Sequence, residues 1–178
     1  MTASLDIDKQ GGPSALFEAL DAMNISVETI EHPPVFTVDE ARSLRGRLRG
    51  GHCKTLFLKA KKGDVFLLPA LEETPIDLKA LGRNLGRGRL SFGRPERLWD
   101  MLGVRPGAVT PFALINDPDR AVTVLLDAAL MDQDELNFHP LINTMTTRIA
   151  TSDFLRFLDA MGHQRQVIDF AGLPAEEG

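Results

Sequence analysis

Two short apolar runs, Thr55-Leu56-Phe57-Leu58 and Val65-Phe66-Leu67-Leu68, flank the connector Ala60-Lys61-Lys62-Gly63-Asp64. β-Branched, aromatic and leucine residues on either side of a charged, glycine-bearing loop predict a β-hairpin, the clearest strand signal in the sequence. Around it the pattern alternates between helix and strand. Leu16, Phe17, Leu20 and Met23 recur at helical spacing and predict a helix over Pro13–Met23. Ser26–Glu31 alternates as a short strand, and His32-Pro33-Pro34 stops it, because proline has no ladder donor and restrains the residue before it. Thr37-Val38-Asp39-Glu40 matches a capping box opening a helix to about Leu44, and Arg45–Gly51 reads as a glycine- and arginine-rich loop.

Beyond the hairpin, helices are expected over Asp77–Leu85 and Pro95–Leu102, the second with proline in its first turn and Gly103 after its end. Short strands are expected over Arg89–Phe92, Pro111–Ile115, Ala121–Leu126 and Asn137–Leu141, with Asn116-Asp117-Pro118-Asp119 as a turn. Ser152 is placed to cap a helix over Asp153–Met161. Gln166–Phe170 could close the sheet, and the tail from about Ala171 is expected to fray. A dinucleotide or P-loop fingerprint is missing, and the strands are too irregularly spaced for a doubly wound sheet. The expected fold is α+β: a mixed, curved, barrel-like sheet with peripheral helices, in one domain spanning residues 1–178. A chain of 178 residues buries roughly 70% of its unfolded surface, enough for a core without metal or disulfide staples.

Charge is unevenly distributed. Arg42–Arg105 holds 15 Lys and Arg against 6 Asp and Glu, a balance of +9, whereas the remaining residues sum to −14, within a net charge of −5. Such a basic half is either an electrostatic footprint for a polyanion or a solvated face. With one Trp and no Tyr, a long aromatic platform for single strands is not expected. There is no apolar run of membrane-spanning length and no secretory pattern at the N-terminus. The single cysteine, Cys53, has no internal disulfide partner; together these suggest a cytoplasmic protein.

Several kinds of chemistry find no motif. The sequence has no HExxH, no paired-cysteine zinc spacing and no GxSxG elbow, and His32, His52, His139 and His163 do not form a metal-ligand pattern. No cofactor is expected, and Cys53 reads as a small buried or half-buried residue. Three polar or glycine-rich segments adjoin the β sequence. In Gly50-Gly51-His52-Cys53-Lys54, Lys54 either sits at a pocket mouth, holding a phosphate or polarising a carbonyl, or is a solvated strand end. Pro106-Gly107-Ala108-Val109-Thr110-Pro111 is a stiff turn whose exposed amides suit an ester carbonyl, or a plain connection. In Asn137-Phe138-His139-Pro140, His139 is open to reading as a general base, an orienting donor or a core histidine.

These segments, with Glu31-His32-Pro33-Pro34-Val35-Phe36-Thr37, Gly88-Arg89-Leu90-Ser91-Phe92-Gly93 and His139-Pro140-Leu141-Ile142-Asn143-Thr144, carry a resemblance. From about Leu16 to Val167 the sequence resembles the YbaK/ProX-type prolyl-tRNA editing proteins, most of all the free-standing alanyl-tRNA(Pro) deacylases. The resemblance implies a metal-free hydrolase that cleaves the ester between an amino acid and the terminal adenosine of mischarged tRNA, most readily Ala-tRNA(Pro). It implies Lys54 as the signature lysine, Gly107 and Pro111 as the ends of the GxxxP loop that holds the ester, and His139 on the pocket wall. Ala108, Val109, Thr110, Thr55 and Asn143 join them as substrate-contacting positions. Lys59 and Arg89 match positions implicated in acceptor-stem contacts, and Arg45, Arg47 and Arg49 add to that basic surface. The implied partners are the acceptor end of tRNA(Pro) and a prolyl-tRNA synthetase, for a monomer or homodimer. One departure is Thr55, where the alanyl deacylases often carry Asn; its reach is shorter, which bears on acceptor-stem discrimination more than on the chemistry. Two alternatives share the pattern: a deacylase of the same fold acting on Cys-tRNA(Pro) or Ser/Thr esters, and a non-catalytic module that binds tRNA or a synthetase.

Overall fold

The computed structural model describes residues 12–34, 43 and 48–173. The predicted capping box at Thr37–Glu40 and, apart from Ser43, its helix to Leu44 therefore lie outside the described residues, as do Arg45, Arg47 and the tail beyond residue 173. The elements run α1 (Gly12–Ala22), β1 (Val27–Glu31), β2 (Gly51–Ala60), β3 (Val65–Leu71), α2 (Leu78–Asn84), β4 (Leu90–Phe92), α3 (Pro95–Leu102) and a 3-10 helix, Pro111–Asn116. They continue through β5 (Thr123–Asp127), β6 (Glu135–Phe138), β7 (Met145–Ala150), α4 (Thr151–Met161) and β8 (Arg165–Ile168).

The expected hairpin is the spine of the molecule. β2 and β3 pair antiparallel from Cys53↔Leu71 to Lys59↔Val65, so both strands are longer than their apolar runs, and β2 begins at Gly51, the last residue of the expected loop. β3 is buried at all seven positions because both of its faces are covered, and its continuous apolar composition suits that place. On one face Phe57, Val65, Leu67 and Leu71 meet the apolar sides of α1, α3 and α4 through Leu16, Leu102 and Phe154. On the other, Leu58, Phe66 and Leu68 pack with Leu81 of α2 and Leu90 of β4.

The sheet order is β1-β7-β6-β2-β3-β5-β8, with β4 pairing β2 beside that path. β2–β6, β3–β5 and β5–β8 are parallel and the rest antiparallel, so the sheet is mixed, as expected. It ends at β1 and β8 and is open, not closed into a barrel.

Three local expectations change. Pro111–Asn116 is a 3-10 helix instead of a strand: Thr110 is extended, its hydroxyl accepts from Phe112 N, and Pro111 supplies a preset φ at the first position. α4 begins at Thr151, so Ser152 is inside it, and the capping position is Ala150. β7 had no apolar signature, yet it lies between β1 and β6; Thr146 and Thr147 are buried, with hydroxyls bonded to His32 and Thr29.

Candidate functional site

One edge of β2 is paired with β3 throughout Cys53–Lys59, but the opposite edge is covered in two separate pieces. β6 takes Gly51 and His52, and β4 takes Leu58–Ala60. A cleft of about 220 Å³ opens over the interval. Cys53, Lys54 and Thr55 form one side, Gly107 and Val109 of the connector after α3 contribute another, and Phe138 and His139 at the end of β6 complete it. Lys54, Thr55, Gly107, Val109 and His139, predicted from three separate segments, are thus brought together.

The connector is seated from below. Thr110 and Pro111 are buried beneath it, where they start the 3-10 helix instead of lining the cleft. Phe112 of that helix meets Phe138 edge-on at 5.8 Å and Phe157 at 5.5 Å, contacts worth about 0.5–1.5 kcal/mol each beyond their burial. They tie the connector to β6, whose last residue, Phe138, precedes His139. Gly107 itself is exposed with φ +92°, a backbone state that favours glycine, and a Cβ there would stand 3.6 Å from Asn143 Nδ2. Ala108 and Asn143 line a neighbouring, more apolar cleft of about 310 Å³, together with Val104 and Leu141; at its rim the Arg105 guanidinium lies 4.0 Å over the Trp99 ring.

Lys54 shares the face of β2 that carries Leu56 and Leu58, as strand alternation requires. Its ammonium donates to the Thr74 carbonyl at 2.6 Å. That carbonyl belongs to an anchored turn. The Thr74 hydroxyl donates to Asp127 Oδ2 at 2.6 Å, and the same carboxylate accepts from Leu71 N at 3.1 Å and Ala129 N at 3.0 Å. Asp127 is 2% exposed and closes β5. Neither Asp127 nor Thr74 stands out in the sequence; the one signal is an acidic residue directly after the apolar run Val124-Leu125-Leu126.

His139 is set up as an acceptor. Its Nδ1 donates to the Met145 carbonyl at 2.8 Å, which leaves Nε2 with its lone pair. Burial lowers its pKa from 6.5; the Met145 carbonyl opposes the shift, and the His32 ring, centred 6.2 Å away, adds to it. The imidazole is therefore neutral at pH 7. His32 sits between the Pro33 carbonyl and the Thr146 hydroxyl, both at 2.8 Å, a proximity invisible in the sequence. The Cys53 thiol is held in its neutral form. Burial pushes its thiol up to about 12, the Asn137 backbone opposes this, and the Asp127 and Glu72 charges add to it.

The basic residues divide. Lys59 pairs with Ser91 in the β2–β4 ladder, and Arg89 is exposed just before β4, so these two share one end of the sheet. Arg49 precedes the other end of β2, roughly 30 Å away at ~3.3 Å per strand residue. It is ion-paired with Glu135 at 2.9 Å. Among the described residues no group of three His, Cys, Asp or Glu is placed to hold a metal ion, and no helix is long and apolar enough to cross a membrane.

The family model of the aminoacyl-tRNA editing domain matches residues 32–157, which include every residue of the cleft. The chain belongs to that family. This editing domain is 38% identical over 170 residues to prolyl-tRNA synthetase associated domain-containing protein 1 of Danio rerio, covering 94% of this protein and 90% of that one. It is 31% identical over 166 residues to the prolyl-tRNA editing protein ProX of Acetoanaerobium sticklandii, covering 93% and 99%. The fold matches, with a TM-score of 0.68 at 23% identity, a crystal structure described as a candidate trans-editing enzyme for prolyl tRNA synthetase; the match covers 92% of this protein and 97% of that one. The editing domain is thus of the prolyl-tRNA editing type.

Proposed function

We propose that this editing domain is a free-standing, metal-independent deacylase that hydrolyses mischarged aminoacyl-tRNA, with Ala-tRNA(Pro) as its substrate. The observation that carries the reading is the cleft itself, where Lys54, Gly107 and the neutral His139 converge from segments far apart in the sequence. An aminoacyl ester is already reactive, so positioning and carbonyl polarisation suffice. Water adds to the ester carbonyl carbon, the carbonyl oxygen takes the negative charge, the bond to the ribose oxygen breaks, and that oxygen receives a proton. Lys54 anchors the acceptor end, the Gly107–Val109 connector holds the ester, and His139 Nε2 accepts a hydrogen bond from the water or the ribose 2′-hydroxyl. Alanine is admitted over proline by size, because overpacking a tight pocket costs about 1–3 kcal/mol.

Lys59 and Arg89, at the β4 end of the sheet, contact the acceptor stem, while Arg49 serves the opposite end. The enzyme works in the cytoplasm beside prolyl-tRNA synthetase, which the domain's relatives carry in their name. The test is deacylation of Ala-, Pro-, Ser- and Cys-tRNA(Pro) beside buffer and a Lys54→Ala variant. Fast loss of alanine with proline spared, and a rate lowered by about 10²-fold in the variant, is the expected result. Faster loss of serine or cysteine than of alanine would move the substrate, and an unchanged variant would remove Lys54 from the mechanism.

A further inference from the structure

The uncovered edge of β2 has a polarity that follows from its ladder. Ala60 N donates to Asp64 O and Glu72 N donates to His52 O, so the even-numbered residues of β2 exchange hydrogen bonds with β3. The odd-numbered residues turn their amides the other way, as Phe57 O shows by accepting from Gly93 N at the β4 side. Thr55 is odd. Its partner position in β3 is Pro69, which has no N–H to offer. Among the described residues no strand covers Thr55 on its outward edge, between the last β6 pair at His52 and the first β4 pair at Leu58. That edge is where the cleft opens. One donor and one acceptor from a single residue are therefore presented side by side at the site.

We infer that Thr55 receives the aminoacyl group as a one-residue β-strand: its backbone carbonyl accepts from the α-ammonium and its backbone N–H donates to the ester carbonyl. The fit comes from chemistry that the two partners share. An aminoacyl group carries its nitrogen and its carbonyl oxygen in the same relation as a strand residue does. Opposite a hydrogen-bonded position of an antiparallel pair, such a residue exchanges both bonds at once. The carbonyl contact selects acyl groups that bear an α-ammonium. The N–H contact strengthens as water adds and the ester carbonyl oxygen becomes an oxyanion, so it acts on the rate more than on binding. Sheet edges capture peptide segments by the same backbone pairing. Thr55 is then a catalytic position through its backbone, whatever its side-chain identity.

This inference rests on the deacylase reading, and two measurements separate their failures. In the first, the Thr55 N–H is replaced by oxygen, by incorporating the corresponding hydroxy acid, and the same replacement is made at Leu58. Leu58 N–H belongs to the β3 ladder and Thr55 N–H does not, so the reference variant sacrifices a structural bond and the test variant none. The expected result is a kcat for Ala-tRNA(Pro) lowered by about 10²-fold at position 55, with KM changed by less than about threefold and activity retained at position 58. Equal kcat in the position 55 variant and the unaltered protein would overturn the inference. In the second, tRNA(Pro) carrying a propionyl group, which lacks the ammonium, is compared with Ala-tRNA(Pro), each rate divided by its rate in buffer. The acceleration should fall by at least about tenfold for propionyl. Equal acceleration of both esters would overturn the ammonium contact while leaving the deacylase standing. No turnover of any ester by the unaltered protein would overturn both.

Discussion

Replacing Asp127 by alanine strips the acceptor from three donors at once: Leu71 N, the Thr74 hydroxyl and Ala129 N. Hydrogen bonds to a charged group are worth about 1.5–3 kcal/mol each. The three are not equivalent. Leu71 is 6% exposed and its amide has no other route to water, whereas Thr74 and Ala129 are half-buried and regain part of their loss from solvent. The sum comes to about 3–5 kcal/mol, a large share of the ~5–15 kcal/mol by which domains are stable. For a protein of this size that is a fall of roughly 10 °C in Tm. Urea unfolding followed by circular dichroism reads it directly, with an unchanged denaturant slope if the native state keeps its compactness. Asp127→Asn keeps one oxygen but turns an amide toward donors, so about 1–3 kcal/mol should be lost there. The turn that holds Lys54 loosens in both variants, so Ala-tRNA(Pro) deacylation should fall well below the rate expected from the folded fraction alone. A stability loss under about 1 kcal/mol for Asp127→Ala would refute the reasoning, because the donors would then find partners without the carboxylate.

His139 is held neutral by burial, so its folded pKa lies below the unfolded value of 6.5. The unfolded state binds its proton first: this contribution to stability is complete above about pH 6.5 and is lost as pH falls below it toward the folded pKa. Urea midpoints measured from pH 8 to 5 should show that fall, flattened in His139→Gln, and the single-turnover rate should show no break near 6.5; a midpoint there would refute the assignment. Gly107→Ala places a side chain at φ +92° but meets nothing closer than Asn143 at 3.6 Å, so the cost is backbone strain of about 1–3 kcal/mol. Its deacylation rate should drop with little change in tRNA affinity by filter binding. Gly93→Ala is different: its Cβ would fall 2.4 Å from the buried Phe57 ring, so about 1–3 kcal/mol of overpacking should appear as a lower Tm.

Much of the candidate site was legible before the fold was known. Lys54, the Gly107–Pro111 connector and His139 stand out as polar or glycine-rich residues beside strongly β sequence, and the cleft unites the first, part of the second and the third. Thr110 and Pro111 carried the same signal for a different reason, since they start a 3-10 helix beneath the cleft. A short apolar run does not distinguish a strand from one turn of helix, so Pro111–Ile115 reads as a strand where the structure has a 3-10 helix. The basic half from Arg42 to Arg105 was visible as composition, but the strand length of β2 separates Arg49 from Lys59 and Arg89.

The sequence by itself determined the elements whose signals are local: the β2–β3 hairpin, α1, α2 and α3, the Pro95 and Gly103 ends of α3, and the short segments that carry the family. Interactions a few residues apart specify these, so spacing and residue type are enough to read them. Tertiary structure alone decided that Met145–Ala150 is a strand, because its threonines can be buried only where Thr29 and His32 meet their hydroxyls. It also decided that Asp127 would hold the turn beneath Lys54, that burial would keep His139 neutral, and that β4 and β6 would stop short of each other along β2. Each depends on groups distant in the sequence whose desolvation and pairing exist only once the sheet has assembled, and the cleft is the gap that assembly leaves.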